Sequence, residues 1–372
     1  MRFIHLADLH LGRRVSGFSL IEDQEHILDT IEQMIAEEKP DAVIIAGDVY
    51  DKLSPPVEAV RMLDRFLTGL SESGIPTFII AGNHDSPERI AFGAQLMNKS
   101  GIHFSPVYEG RAEKFTLTDE FGDVDIYLLP YLRPAEVRRF FPDADIPDTE
   151  AAVRTAIGAM DIDKSKRNII VSHQFVAGGT QSDSERGAVG GTDEVSAEVY
   201  GDFDYAALGH LHKPQAVGRN IRYGGTPLKY SVSEQDHRKC LTVCELGGKG
   251  SDVKVTLREL VPLNDMYELE GAFDELVKRE SEDYVLIRLT DSTRVPDAQK
   301  RLREQYHHLM GVKYRADSER GEVELSEETP VVPDNRQELF AKFFAEANGK
   351  EMTPEQSAYM NALINRIWNE EG

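Results

Sequence analysis

Three apolar runs near the start of the chain, RFIHLAD (2–8), DAVIIAGD (41–48) and IPTFIIAGNHD (75–85), each end on aspartate or on an Asn-His-Asp triplet, and helical patterns separate them. IEDQEHILDTIEQMIAEEK (21–39) carries apolar residues at 27, 28, 31, 34 and 35, one face of a helix. PPVEAVRMLDRFLTGLSESG (55–74) has prolines at its start and a glycine past its end. SPERIAFGAQLMNKSG (86–101) places Ser86 as an N-cap and Pro87 at the first helical position. This alternation predicts a largely parallel sheet with helices on its face. Such sheets build their sites beyond the carboxyl ends of the strands, which is where the polar residues stand.

After Pro130 the pattern changes. AAVRTAIGAM (151–160) is helical and RNIIVSH (167–173) is a strand, followed by a glycine-rich acidic loop, AGGTQSDSERGAVGGTDE (177–194). FDYAALGH (203–210), RNIRYGG (219–225) and HRKCLTVCEL (237–246) are predicted as strands of a second sheet, and VKVTLREL (253–260) as a last strand after the turn LGGKGSD (246–252). A second unit begins near Val261: NDMYELEG, AFDELVKRE, YVLIRLTD, PDAQKRLREQYHHLM and VKYRA read as β-α-β-α-β. The expected division is 1–260, 261–317, an acidic, proline-bearing linker at 318–337, and two C-terminal helices in 338–372.

At 372 residues, 40% hydrophobic and 29% charged, the chain has the composition of a soluble globular protein. No run approaches the roughly 18 apolar residues a membrane span needs. The N-terminus enters a strand pattern without a charged segment and apolar h-region, so a cytoplasmic protein is expected. Cys240 and Cys244, four strand residues and roughly 13 Å apart, are too distant for a disulfide and read as core side chains. The net charge of −23 argues against a protein that coats nucleic acid, though not against a nuclease whose site carries divalent ions.

The polar strand ends form a set: D-x-H (Asp8, His10), G-D-x-x-D (Gly47, Asp48, Asp51), G-N-H-D (Gly82 to Asp85), S-H (Ser172, His173) and G-H-x-H (Gly209, His210, His212). Any one of them is an ordinary turn or a packed imidazole. Five in order, each closing a strand and together holding five of the eleven histidines, point to a shared metal site. His210 and His212 project to one side of a strand end, where two charged imidazoles repel. A metal or packing against a carbonyl would hold them neutral.

This order of motifs resembles the binuclear metallophosphoesterases of the calcineurin-like superfamily over roughly residues 1–260. HLADLHLG, GDVYD, AGNHDSPER, SHQFV before SDSER, GHLHKPQ and YGGTPLKYSVSE are similar to the Mre-type double-strand-break nucleases within it. The resemblance implies an α/β sandwich of two β-sheets flanked by helices, with a small α/β capping domain and a C-terminal helix pair. It implies two divalent metal ions, one on Asp8, His10 and His212 and one on Asn83, His173 and His210, with Asp48 bridging. Manganese is implied by the family, and iron, zinc or magnesium also suit a thiolate-free N/O set. His84 is implied as the catalytic histidine, oriented by the Asp51 carboxylate. Asp85 either stabilises its turn or takes part in catalysis.

Ser184, Glu185 and Arg186 in the SDSER loop, Lys229 in TPLKY, and Lys300, Arg301, Arg303, Lys313 and Arg315 in the capping domain are candidate DNA contacts, against the alternative of solvated loop and helix faces. Phe340, Phe343 and Phe344, then Tyr359, Leu363, Ile367 and Trp368, form apolar stripes at helical spacing in the last two helices. The resemblance implies that they dock on the coiled coil of an SMC-like ATPase, the alternative being packing on their own domain, and that the chain forms a homodimer within a heterotetramer. The implied activity is 3′–5′ exonuclease on double-stranded DNA ends and endonuclease at hairpins or blocked ends, in repair, replication and recombination. The rivals are a phosphomonoesterase or nucleotide phosphodiesterase of the same superfamily, and a non-catalytic scaffold that bridges DNA ends. The related phosphatases read G-D-x-V-D-R-G and G-N-H-E, where this chain has GDVYDKL and GNHDS.

Overall fold

The run AVIIA becomes the Ala42–Ala46 strand with all five residues buried, as a central strand covered on both faces must be. Its side chains alternate. Val43 and Ile45 join a core with Ile27, Leu28 and Ile31 of helix Ile21–Glu38 and Met62 and Phe66 of helix Val57–Glu72. Ala42, Ile44 and Ala46 face the other way and pack with Ile126, Leu128, Ile169, Val171 and Ala207 of a second sheet. A third core covers the outer face of that sheet with Ala152, Val153 and Ala156 of helix Thr149–Gly158. The result is a two-sheet sandwich with helices outside.

The computed structural model describes residues 1–105, 107–182, 185, 194–315, 352, 353 and 356–360. Ser184, Arg186, the 318–337 linker, Phe340, Phe343, Phe344, Leu363, Ile367 and Trp368 lie outside the described residues. By spatial proximity the chain divides into Met1–Leu289 with Thr293–Lys313, and Thr290–Ser292 with Tyr314–Gly372. In the latter unit residues 356–360 are helical and Tyr359 is exposed.

The first sheet runs Lys254–Glu259, Cys240–Glu245, Arg2–Leu6, Ala42–Ala46, Thr77–Ile80, Ile102–Phe104, its last four strands parallel. The second runs Gln215–Gly218, Ile221–Tyr223, Tyr205–Gly209, Arg167–His173, Gly122–Leu129, Glu113–Asp119, with a parallel middle and antiparallel edges. The expectation that Cys240–Glu245 belongs to the second sheet is corrected, and the last strand, Lys254–Glu259, goes with it. Both join the first, antiparallel, with Phe3 opposite Cys244. The second sheet's edge at Ile221–Tyr223 is taken by Gln215–Gly218, whereas the outer edge of Arg2–Leu6 has no other strand to fill it than Cys240–Glu245.

Three expected helices are shortened, AFDELVKRE (272–280) to Phe273–Leu276. The 86–101 segment forms only Pro87–Ile90 and Ala94–Met97, because Gly93 between them adopts φ 78°. The Ser86 hydroxyl bonds Glu88 rather than capping the helix. PDAQKRLREQYHHLM is helical only over Ala298–Arg303, and YHHLM begins the Tyr306–Tyr314 strand. That strand completes a three-stranded sheet with Met266–Gly271 and Ser281–Leu289, burying Tyr306 and Leu309.

Asp23 and Gln24 on the first turn of helix Ile21–Glu38 are buried and face two neighbours. The Asp23 carboxylate accepts from Tyr284 Oη (2.7 Å) and Asn264 N (3.0 Å), fastening the third sheet. Gln24 Nε2 donates to the His10 carbonyl (2.8 Å), and its Oε1 accepts from Gly12 N (2.9 Å), shaping the loop after the first strand.

The two large sheets are tied by His5. Its Nε2 lies 3.1 Å from the Leu208 carbonyl, which only accepts, so Nε2 carries the proton and Nδ1 accepts from Tyr205 Oη at 3.1 Å. Cys244 Sγ donates to the same Tyr205 oxygen, which gives that cysteine a structural place. Burial holds the His5 ring at a pKa of about 3 against 6.5, so it stays neutral where the unfolded chain is charged. The stability this contributes is complete above pH 6.5 and is lost as pH falls towards 3. Urea unfolding should therefore show the protein losing up to about 3 kcal/mol between pH 6.5 and about 4.5 that a His5→Gln protein does not lose. Parallel stability curves for the two proteins contradict this.

Candidate metal centre

Each of the five polar strand ends reaches one region where the two sheets meet at their carboxyl edges. Asp8 N bonds the Gly47 carbonyl (3.0 Å) and His10 N the Asp48 carbonyl (2.9 Å), so the first two loops run side by side. The backbone there is unusual. Asp8 (φ 53°), His10 (φ 44°), Asp48 (φ 48°) and His210 (φ 106°) are among the few described non-glycine residues at positive φ. Such conformations cost on the order of 1–3 kcal/mol each and persist where function fixes them.

The glycines before these residues are steric requirements. A Cβ at Gly47 would stand 2.4 Å from His173 Nδ1, one at Gly82 2.2 Å from Asp48 Oδ1, and one at Gly209 1.8 Å from the Ala46 carbonyl oxygen. Without them the two sheet edges could not close on each other.

The side chains converge on Asp48. Its Oδ2 lies 3.4 Å from His173 Nε2 and 3.6 Å from His10 Nε2, and its Oδ1 accepts from His84 N at 2.8 Å. His173 Nε2 and His210 Nδ1 both stand 3.0 Å from Asn83 Oδ1. Potential ligand atoms of Asp8, Asp48 and His173, and separately of His10, Asp48 and His84, lie within 4.8 Å of one another. Asp48 is common to both groups. The His212 ring packs 5.2 Å from that of His10, and its Nδ1 bonds Glu234 (2.9 Å).

These residues fit divalent ions. Asp8 Oδ2 and both ring nitrogens of His10 are buried with no hydrogen-bond partner. Leaving three such atoms unsatisfied is costly, and a cation removes that cost. The set combines carboxylate, amide and imidazole without thiolate, which suits manganese, iron, zinc or magnesium.

The electrostatics agree. Burial pushes His10 well below its ordinary pKa, and burial followed by the neighbouring His173 charge holds His210 at about 3, so both rings remain in the form that ligates. Burial, then the Asp48 charge, push the Asp8 carboxyl well up, against the pull of His173. For His173 burial is outweighed by the charge and hydrogen bond of Asp48, and its pKa rises to about 9. Carboxylates that favour a proton there would equally favour a metal cation in its place.

His84 is half-buried, and its Nδ1 lies 3.0 Å from the main-chain carbonyl of Asp51. A carbonyl only accepts, so Nδ1 carries the proton and Nε2 is the basic edge. The expected Asp51 carboxylate–His84 bond is thereby corrected. The Asp51 carboxylate instead takes Arg13 Nη1 at 2.6 Å and lies 3.8 Å from His10 Nδ1, because its side chain turns towards the first loop. Asp85 accepts from Val49 N (3.0 Å), Tyr50 N (2.9 Å) and Gly82 N (2.9 Å), binding the second loop to the third. Of its two expected roles, turn stabilisation accounts for all three bonds.

Lys229 is also corrected as a phosphate contact. Its Nζ pairs with Asp265 Oδ1 at 2.8 Å and is mostly buried. Lys300, Arg301 and Arg303 are exposed on helix Ala298–Arg303, with Arg301 lying 4.3 Å over the Phe273 ring, and Lys313 and Arg315 are also exposed. Sequence reasoning missed Gln24, Tyr230, Glu234 and Lys239, and it read Glu185 as a substrate-side loop residue, not as a partner of His212. Tyr230 Oη bonds the Leu9 carbonyl and Gln24, and Glu185 accepts from His212 N. Gln24 carried a signal, as a polar residue on the apolar stripe 24, 27, 28, 31 of its helix.

The sequence profile of calcineurin-like phosphoesterases matches residues 1–214. With that match over more than half its length, and a carboxylate–imidazole cluster at the edge of a two-sheet sandwich, the chain belongs to the calcineurin-like phosphoesterase family. It is 30% identical over 380 residues to the D subunit of the nuclease SbcCD from Staphylococcus saprophyticus subsp. saprophyticus, covering 100% of this chain and 99% of that protein. The corresponding SbcCD protein of Staphylococcus epidermidis is 28% identical over 385 residues, covering 100% of both. Within the phosphoesterases the chain is thus a member of the SbcD nuclease family, a metal-dependent hydrolase. Residues 262–348 match the profile described as the type 5 capsule protein repressor C-terminal domain. The crystal structure of TT1561 of Thermus thermophilus matches at a TM-score of 0.37 and 12% identity, over 69% of this chain and 98% of that one. Among the described residues no helix is long and apolar enough to cross a membrane.

Gly209→Ala should lower stability by at least about 1–3 kcal/mol and weaken divalent-metal binding, since the added carbon meets backbone rather than a movable side chain. Gly158→Ala, with open space around it at a helix end, should be neutral or stabilising by about 0.5–1 kcal/mol. Denaturant unfolding and metal titration of both proteins check this. A Gly209→Ala protein indistinguishable from the parent contradicts it.

Proposed function

We propose that this chain is the nuclease subunit of an SbcCD-type complex, cutting DNA phosphodiesters as a 3′–5′ exonuclease at double-stranded ends and as an endonuclease at hairpins or blocked ends. The observation that carries the reading is Asp48, buried between two groups of ligand side chains with unpartnered atoms of Asp8 and His10 beside it. Asp8, His10 and His212 would hold one ion, Asn83, His173 and His210 the other, and Asp48 both. Manganese is the ion proposed. When bound, such a pair supplies an activated water and neutralises charge on the phosphodiester.

The chain's own residues supply the rest. His84, its Nδ1 proton committed to the Asp51 carbonyl, offers Nε2, which in the imidazolium form carries the second proton that is given to the leaving oxygen. Asp85 keeps the His84 turn in register with the Asp48 loop. Residues 261–317 form the capping domain, whose exposed Lys300, Arg301, Arg303, Lys313 and Arg315 meet DNA, with Ser184 and Arg186. Residues 338–372 dock on the coiled coil of an SbcC-type ATPase, in a heterotetramer built on a homodimer of this chain.

Asp48→Ala should abolish cleavage of a labelled hairpin and lower manganese stoichiometry in calorimetry, and two ions still bound would refute the bridging role. His84→Gln should keep both ions and near-normal DNA affinity while cutting turnover about 10²-fold or more. Metal content that falls in step with activity would make His84 a ligand instead. Faster hydrolysis of p-nitrophenyl phosphate than of the hairpin would favour a phosphomonoesterase.

A further inference from the structure

His212 lies in the loop beyond the Tyr205–Gly209 strand, where no ladder hydrogen bonds hold it. The segment GGTPLKYSVSEQDHRK (224–239) takes over that task. Glu234, 0% exposed, accepts from His212 Nδ1 at 2.9 Å and from Lys239 Nζ at 2.6 Å. Lys239, 5% exposed, also donates to the His212 carbonyl (2.9 Å) and to Thr226 Oγ1 (2.6 Å). Thr226 N reaches the same carbonyl at 3.1 Å. One ion pair therefore grips His212 at its ring and at its main chain.

Stability alone does not account for such a pair. Taking two charges out of water costs about as much as their attraction returns, and an apolar pair of similar volume often serves the fold as well or better. What a carboxylate on Nδ1 does that an apolar group cannot is fix the proton there, leave Nε2 as the free ligand edge and hold the ring's orientation. Lysine supplies the counter-charge that lets Glu234 act as an anion in a region already holding Asp8, Asp48 and Glu185.

We propose that Glu234 and Lys239 are positioning residues for His212, which set how tightly this ring binds a divalent cation rather than how stable the fold is. The proposal rests on His212 being a ligand, as proposed above.

The test uses the full-length chain, with Mn²⁺ titrated by calorimetry and apo-protein melting followed in parallel. Glu234→Gln and Lys239→Met alone should each lower the melting temperature, since each strands a buried polar or charged partner. The double variant should recover most of that loss, yet bind Mn²⁺ about 10–100-fold more weakly at one site. A double variant with parental Mn²⁺ affinity overturns the proposal, whatever its melting temperature. A cycle with His212→Gln keeps the question open to decision if the double variant folds poorly. Glu234→Gln added to His212→Gln should cost no further Mn²⁺ affinity, and additive losses overturn the proposal. If His212→Gln itself leaves Mn²⁺ affinity unchanged, the ligand assignment fails, and this inference falls with it. If His212→Gln weakens binding while the pair does not, only this inference is lost.

Discussion

The arrangement of the centre depends on the Asp48 carboxylate, a buried charge at the line where two sheets meet. A buried carboxylate needs partners, and this one draws His173 from the second sheet, His10 from the first loop and the His84 amide from the third. Those three contacts come from parts of the chain far apart in sequence. The close approach is allowed by Gly47, Gly82 and Gly209, whose missing side chains leave room for His173, Asp48 and the Ala46 carbonyl. Folding of the sandwich and assembly of the site are therefore one event, driven by the apolar inter-sheet core and completed by the polar edge.

Around that centre the polar contacts are layered by depth. Asp85, Gln24 and Tyr230 hold main-chain groups of the ligand-bearing loops, so the loops carry little freedom of their own. Asp23, next to Gln24, and Lys229, next to Tyr230, reach the third sheet instead, through Tyr284, Asn264 and Asp265. Neighbouring residues thus fasten the site and the small sheet from the same short segments. This gives a physical reason for the polar character of the helix start and of the TPLKY stretch.

Much of this was legible in the sequence, for identifiable reasons. Buried parallel strands are continuous apolar runs, and the residues ending them are chemically unusual, so the first sheet's core and the ligand candidates could be read directly. The antiparallel return of Cys240–Glu245 to the first strand could not, because its pairing depends on which edge is left open in three dimensions. The end of helix Ala298–Arg303 was hidden because the apolar Tyr306 and Leu309 continue a helical spacing while serving a strand. Positive φ at Asp8, His10, Asp48 and His210 falls on residue types that adopt it more often than most, but those types equally mark ligands or turns, so the strain could not be read from them. Asp51 was misread because its carbonyl does the work assigned to its carboxylate, and Glu234 and Lys239 because buried charges look like surface charges in a sequence.

The most direct measurement is an anomalous difference map from crystals grown with Mn²⁺ and recorded on both sides of the manganese absorption edge. The account predicts two peaks about 3.5–4 Å apart, both in contact with the Asp48 carboxylate, one also touching His10 and the other His173. A single peak, or two of which only one touches Asp48, would contradict it.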